Sequence, residues 1–208
     1  AWGTLIVIIM LSFLAPVFTS VFVIAFDIYW FIKTVYLSLH MRITFKRMRQ
    51  YMARDWLREL QHTKPIAQEL SNVQWQDLYH LVILPTADEP LQVVRESFSS
   101  LANAKYPLDR FIVVLAIEER AGQSAVQVAE TIEREFSHLF FRFLITHHPD
   151  GRDGEIRGKG SNESWAGRQV KERVIDQLGI PHEWIIVSVF DIDTVVPEQF
   201  FACLTWHY

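Results

Sequence analysis

A single cysteine, Cys203, stands in 208 residues. That scarcity excludes an internal disulfide and any cysteine-based zinc cluster, and it suits a reducing compartment. Its place in an apolar run predicts a buried, inert thiol rather than a nucleophile. Excess positive charge is also missing. The formal net charge is −4, which argues against nucleic acid as the main partner. There is no internal repeat and no low-complexity segment. With 50% hydrophobic and 21% charged residues, wholesale disorder is excluded and a folded core is expected. The length accommodates one domain plus an appendage. The chain stops at Tyr208 within an apparent helix, so it reads as a piece of something longer.

Charge is scarcest at the start. Residues 1–39 carry only Asp27 and Lys33. A spanning helix needs about 20 apolar residues, so residues 1–40 read as transmembrane sequence. Pro16 interrupts the run and predicts a break between a first segment ending at Leu14 and a second from Val17 to Leu39. Trp2, Tyr29, Trp30 and Tyr36 suit membrane interfaces. Asp27 is expected to face protein or water rather than lipid. A signal peptide fits poorly, because there is no charged n-region and no initiator Met.

Residues 41–74 reverse the balance. Arg42, Lys46, Arg47, Arg49, Arg54 and Arg58 face only Asp55 among the acids, the basic flank of a cytoplasmic side. Phe45, Met48, Met52, Trp56 and Leu60 recur at three- and four-residue steps. They predict an amphipathic helix lying among anionic headgroups, or else an ordinary helix packed on a soluble domain. Thr63 to Asn72 is a polar connector containing Pro65.

From Trp75 to Tyr208 the grammar is α/β. Tyr79–Leu84 reads as a strand stopped by Pro85. Thr86-Ala87-Asp88-Glu89 has the form of a capping box, with Pro90 in the first turn of a helix carrying Leu91, Val94, Phe98 and Leu101 on one face. Phe111–Ile117 is a second strand, and Ser124–Phe136 a second helix with Val128, Ile132 and Phe136 in a stripe. Phe140–Thr146 is a third strand. Asn162–Leu178 is a third helix, stopped by Gly179 and Pro181. Trp184–Phe190 reads as a fourth, buried strand. Strands alternating with helices of this length predict right-handed βαβ units and a parallel sheet.

Each strand delivers polar residues to one edge of that sheet. The first gives Thr86, Asp88 and Glu89, and the second Glu118 and Glu119. The third gives His147, His148 and Asp150, and the fourth Asp191 and Asp193. Ligands of open α/β sheets bind beyond the carboxyl ends of strands. Two aspartates at i and i+2 of an extended chain fall on the same side and offer hard oxygen ligands to Mg²⁺ or Mn²⁺. The glycine-rich run from Asp150 through Asp153 to Asn162 has the look of a phosphate-binding loop. It fails the Walker A pattern, since Gly158-Lys159 is followed by Gly160, which disfavours an ATPase or GTPase. Lys159 still sits among glycines just before a helix start, where a diphosphate meets backbone N–H groups and positive charge. Neighbouring His147 and His148 point to opposite faces of a strand, so joint metal ligation is not expected.

The order and spacing of these motifs resemble family 2 glycosyltransferases of the GT-A fold, most closely the membrane-embedded cellulose- and hyaluronan-synthase-like branch. The residues carrying the resemblance are Ile83-Leu84-Pro85-Thr86-Ala87-Asp88-Glu89-Pro90, then Ser99-Ser100-Leu101 with Tyr106-Pro107. Gly158-Lys159-Gly160-Ser161-Asn162 and Asp191-Ile192-Asp193-Thr194 complete it. Ala87 stands where the family has an aromatic residue, and Asp88 where it has asparagine. The resemblance implies a Rossmann-like GT-A domain, here its nucleotide-sugar-binding half. It implies transfer of a sugar from a UDP- or GDP-sugar to a polysaccharide or lipid acceptor, by a hexosyltransferase-type enzyme of the cell or inner membrane with a cytoplasmic catalytic domain. Asp193 would ligate Mg²⁺ or Mn²⁺, and Asp191 the same metal or the ribose. Lys159 and Asn162 would support phosphate or ribose. Pro85, Thr86, Asp88, Glu89 and Glu118 or Glu119 would line the nucleotide pocket. The family's catalytic base and its Q-x-x-R-W motif fall beyond Tyr208.

Two other readings share the fold. A non-catalytic, membrane-tethered nucleotide-sugar-binding scaffold predicts binding without turnover. A soluble sugar-phosphate nucleotidyltransferase predicts no membrane insertion.

Overall fold

The computed structural model describes residues 2–64, 66, 72–152 and 154–208. Pro65 of the expected connector and Asp153 of the glycine-rich loop lie outside the described residues. The chain divides into two compact units, Ala1–Arg54 and Asp55–Tyr208.

The first unit is two helices, α1 (Trp2–Leu14) and α2 (Pro16–Met52). The break falls where the sequence puts it. A residue before proline is disfavoured in the helical region, and Ala15 adopts φ −143°. Pro16 then begins the next helix, where its missing N–H costs nothing. At 1.5 Å per residue, α1 is about 20 Å long, short of the ~30 Å hydrocarbon layer, whereas α2 reaches about 55 Å. Among the described residues, α2 alone is long and apolar enough to cross a membrane. Among the described residues its apolar side chains are largely exposed: Phe18 is 64% exposed and Phe31 69%.

One expectation for this region is corrected. The basic stretch is not a helix of its own. Arg42 to Met52 continues α2 without interruption, and the helix ends only at Ala53. A new helix, α3 (Trp56–His62), starts after Asp55, whose carboxylate accepts the Arg58 N–H at 3.3 Å. Trp56 and Leu60 therefore belong to a different helix from Phe45, Met48 and Met52. They are 2% and 3% exposed in the core of the second unit. The break from Ala53 to Asp55 is about one helical turn long, so the three- and four-residue spacing runs through it unaltered.

The second unit is built on four parallel strands, β1 (Tyr79–Thr86), β2 (Phe111–Glu118), β3 (Arg142–His148) and β4 (Ile185–Val189), in the order β3-β2-β1-β4. Alternation along the central strands sorts the core into two layers. Val82, Leu84, Val113 and Leu115 pack with Val94 and Phe98 of α4 (Leu91–Ala102) and Ile132 of α5 (Gly122–Phe136). Leu81, Ile83, Ile112 and Val114 face the other way, onto Ala166 and Val170 of α6 (Lys159–Val170) and Val174 and Ile175 of the π-helical segment after it. The run continues as α7 (Asp176–Leu178) and stops at Gly179, in the left-handed conformation with φ +63°. The last helix, α8 (Phe200–His207), joins the first layer.

Two strand-level expectations change. β4 is an edge strand, not a buried one: Ile186 and Ser188 are buried, while Val187 and Val189 are 57% and 43% exposed. The Thr86–Glu89 segment is not a helix cap. Pro90 occupies the cap position of α4, and Glu89 turns back onto its own loop.

His80, on β1, is fully buried among Tyr106, Phe111 and Phe201. Its Nε2 meets Thr205 Oγ1 of α8 at 2.8 Å, and its Nδ1 has no partner among the described residues. Burial lowers its pKa to about 3. The folded protein therefore holds His80 neutral while the unfolded chain protonates it below about 6.5, so the unfolded state binds more protons and stability is lost as the pH drops from about 6.5 toward 3. The expected contribution is a loss of about 1.4 kcal/mol per pH unit over that range. His80→Phe should flatten this part of the stability–pH curve, measured by denaturant unfolding between neutral pH and the onset of general acid unfolding. An unchanged slope would show that His80 does not carry it.

Candidate functional site

Strand order fixes where a site can form. From β1 the chain moves outward through β2 to β3, with α4 and α5 in one layer. It then crosses by α6 on the other face and returns beside β1 as β4. The direction of winding reverses between β1 and β4, and a crevice opens at their carboxyl ends.

Pro85 shapes that crevice. Phe190 N–H donates to Ile83 C=O at 3.1 Å, one step beyond the last paired residues of β1 and β4. The next donor of β1 toward that side would be residue 85, and a proline has none. The ladder stops, and the chain leaves the sheet into a turn closed by Thr194 N–H on Asp191 C=O at 2.9 Å. Asp191 and Asp193 thus occupy positions in a turn, not alternate positions of an extended strand as expected. Ile192, between them, is 4% exposed and packs into the core.

Two serines of α4 fasten this turn, and the sequence did not mark them for it. Ser97 Oγ donates to Ile192 C=O, and Ser100 Oγ accepts Val196 N–H at 3.0 Å. Both are buried, at 1% and 9% exposure. A serine three residues from another on the inner side of a helix that is otherwise apolar there was the available signal.

The crevice has a volume of about 460 Å³ and is lined by Pro85, Thr86, Glu89, Glu118, Lys159, Asn162, Asp191 and Asp193, with Ala87, Val93 and Ile192. Of the residues expected to bind nucleotide sugar or metal, Asp88 and Glu119 alone are outside that set. Glu89 Oε2 accepts from Thr86 Oγ1 at 2.6 Å and from Ala87 N–H at 2.8 Å, and Asp88 is left exposed between them. Burial alone would push the Glu89 carboxyl up, but the Thr86 hydroxyl and the N–H groups of Ala87, Glu89 and Asp88 outweigh it and hold the group below its usual range. Glu118 and Glu119 separate. Glu118 lines the crevice and pairs with Arg120, while Glu119 Oε2 accepts Asp150 N–H at 3.0 Å and steadies the next loop.

Lys159 is the first residue of α6, and Gly158 before it has φ +151°, open only to glycine. Its Nζ pairs with Asp191 Oδ1 and lies 3.6 Å from Glu163 Oε1. The hydrogen bond to Asp191 holds the lysine pKa above its ordinary value. Asn162 is 1% exposed; its Nδ2 donates to Ala116 C=O at 2.8 Å, and its Oδ1 has no partner among the described residues. The Asp193 carboxylate makes no hydrogen bond or ion pair among the described residues. The histidines divide as adjacent strand residues must: His147 is exposed, and His148 Nε2 meets Glu155 Oε2 at 2.9 Å.

The chain gives no match among protein-family models or curated proteins. Geometry therefore has to carry the chemistry. Among the described residues no group of three or more acidic, histidine or cysteine side chains converges as a metal cage. Asp191 and Asp193 nevertheless suit Mg²⁺ or Mn²⁺ of the kind bound through one or two carboxylates, with phosphate oxygens and water completing the shell. Cys203 is half-buried on α8, away from these residues in the chain and absent from the crevice lining.

Ser97→Ala should leave the Ile192 carbonyl buried without a partner, at a cost of about 1–3 kcal/mol. In a chain of this size that corresponds to a fall in Tm of about 2–4 °C per kcal/mol. Circular-dichroism melting of the purified protein in detergent measures it, and an unaltered Tm would show that the serine does not fasten the turn.

Proposed function

We propose that this chain is the nucleotide-sugar-binding half of a membrane-bound, metal-dependent glycosyltransferase of the family 2, GT-A type. The observation that carries the reading is the convergence of Asp191, Asp193, Lys159, Asn162, Glu89 and Glu118 on one crevice at the strand ends. A pyrophosphate needs cation contacts and N–H donors, a divalent metal needs oxygen ligands, and a nucleoside needs polar groups at a shaped wall. This crevice offers each.

In this reading Asp193 and Asp191 are the residues that would hold Mg²⁺ or Mn²⁺. A bound metal supplies Lewis-acid neutralisation of the charge that builds on the leaving diphosphate. Lys159 adds positive charge at the start of α6, where the helix dipole also favours an anion. Pro85, Thr86 and Glu89 form the nucleoside wall with Glu118, and Glu89 keeps Thr86 fixed by its hydrogen bond. α2 anchors the protein in the membrane. Arg42, Lys46, Arg47 and Arg49 near its end favour a cytoplasmic side, which places sugar transfer at the inner face and a glycan or lipid acceptor within reach.

Calorimetry on the intact protein in detergent with Mn²⁺ is expected to show binding of a UDP- or GDP-sugar. Asp193→Ala should weaken it at least tenfold, the order expected when a metal loses a carboxylate ligand. No heat with any nucleotide sugar, together with an Asp193→Ala protein that behaves as wild type, would overturn the proposal.

A further inference from the structure

Lys159 and Asp191 stand in an unusual relation for a metal-and-diphosphate site. The carboxylate suited to the cation already has one: the Lys159 ammonium sits on Asp191 Oδ1, with Glu163 behind it at 3.6 Å. The neighbouring Asp193 carboxylate has no such partner among the described residues. The lysine springs from the first turn of α6. That helix is fixed by Ala166 and Val170 in the core and by the Asn162 hydrogen bond to Ala116 C=O. The backbone of Lys159 is therefore held beside Asp191, while its half-exposed side chain can carry the ammonium to another anion.

Resting on the diphosphate reading above, we propose that Lys159 is the resident counter-cation of Asp191, and that a divalent metal gains this carboxylate only when a diphosphate draws the ammonium to itself. A dication entering alone meets Asp193 plus an Asp191 already neutralised, and it is repelled by the ammonium. A diphosphate entering alone gains the ammonium but leaves two carboxylates beside its negative charge. Together, the phosphates take Lys159 and the metal takes both aspartates, so every charge is paired. Two ligands that each relieve the other's penalty bind with a mutual coupling, and the coupling is the same in either direction. The site is then loaded by metal and diphosphate jointly and stays closed to free metal.

The test is equilibrium dialysis of the full chain in detergent against Mn²⁺ at matched free concentration, with and without inorganic pyrophosphate. Pyrophosphate should tighten Mn²⁺ retention by the wild type by about tenfold or more, within the usual range of such couplings. Lys159→Met should retain Mn²⁺ without pyrophosphate about tenfold more tightly than wild type and lose most of the coupling. Lys159→Arg keeps the charge and should behave as wild type, which separates gating from any loss of folding. If wild type and Lys159→Met retain Mn²⁺ alike without pyrophosphate, Lys159 is no gate, although the diphosphate reading survives as long as pyrophosphate still tightens retention. If pyrophosphate tightens retention in neither, both ideas fall.

Discussion

Strand β1 has neither a free edge nor a free face. β2 and β4 take its backbone groups, α4 and α8 cover one side, and α6 with the π segment covers the other. That enclosure requires a continuous apolar run, and Leu81 to Leu84 provides it. The one polar residue before the run, His80, is buried only with Thr205 as a partner for its Nε2. Pro85 and Thr86 mark the end, and the ladder to β4 closes at Phe190 for want of a donor. The acidic turn and the glutamate loop are therefore neighbours because both are chains leaving the same buried strand at the same height.

The polar groups of the crevice are held in place by specific short ties rather than by the core itself. Ser97 and Ser100 reach from α4 to the turn of Asp191–Val196, Glu89 folds onto Thr86 and Ala87, and Asn162 braces α6 against the end of β2. Groups with their own lone pairs and donors satisfied lose little freedom when a ligand arrives, which is the physical content of a preorganised site. The glycine-rich loop follows the same rule. Glu155 joins His148 of β3 to Arg168 of α6, and Arg152 lies over the Trp165 ring at 4.6 Å. A hydrogen bond from His148, with the nearby guanidinium groups of Arg152 and Arg168, holds the Glu155 carboxyl below its usual range.

Much of this was legible in the residues alone. Continuous runs of valine, isoleucine and leucine between helical segments announce a parallel sheet, and polar residues after each run announce its functional edge. The sequence placed Lys159 and Asp191 near one another for that reason. What it did not show is tertiary. Whether Val187 and Val189 face core or solvent depends on β4 being last in the sheet order, which no local pattern states. The spacing through Ala53–Asp55 is equally consistent with one helix or two, and Asp55 capping decides it. Glu118 and Glu119 are identical in type and adjacent, and only the position of Asp150 N–H separates their tasks. Ser97 looks like an ordinary helix residue until Ile192 arrives opposite it.

The N-terminal unit poses a different problem from the sheet. A helix that is apolar on all sides gains nothing from packing on one neighbour, since the remaining sides still face water. α2 leaves aromatic and aliphatic side chains exposed from Val17 to Met52, and charge gathers toward its end. Burial of such a surface in hydrocarbon would recover roughly 25 cal/mol for each Å² removed from water, with no loss of hydrogen bonds because the helix satisfies its own backbone. Asp27 is the exception, a carboxylate with no partner among the described residues on an otherwise apolar stretch. In a membrane it would be tolerated only against a polar or charged group from elsewhere in the assembly. A helix of this composition thus carries one residue that would favour protein over lipid, and any membrane arrangement of it would have to satisfy that residue as well as the apolar surface.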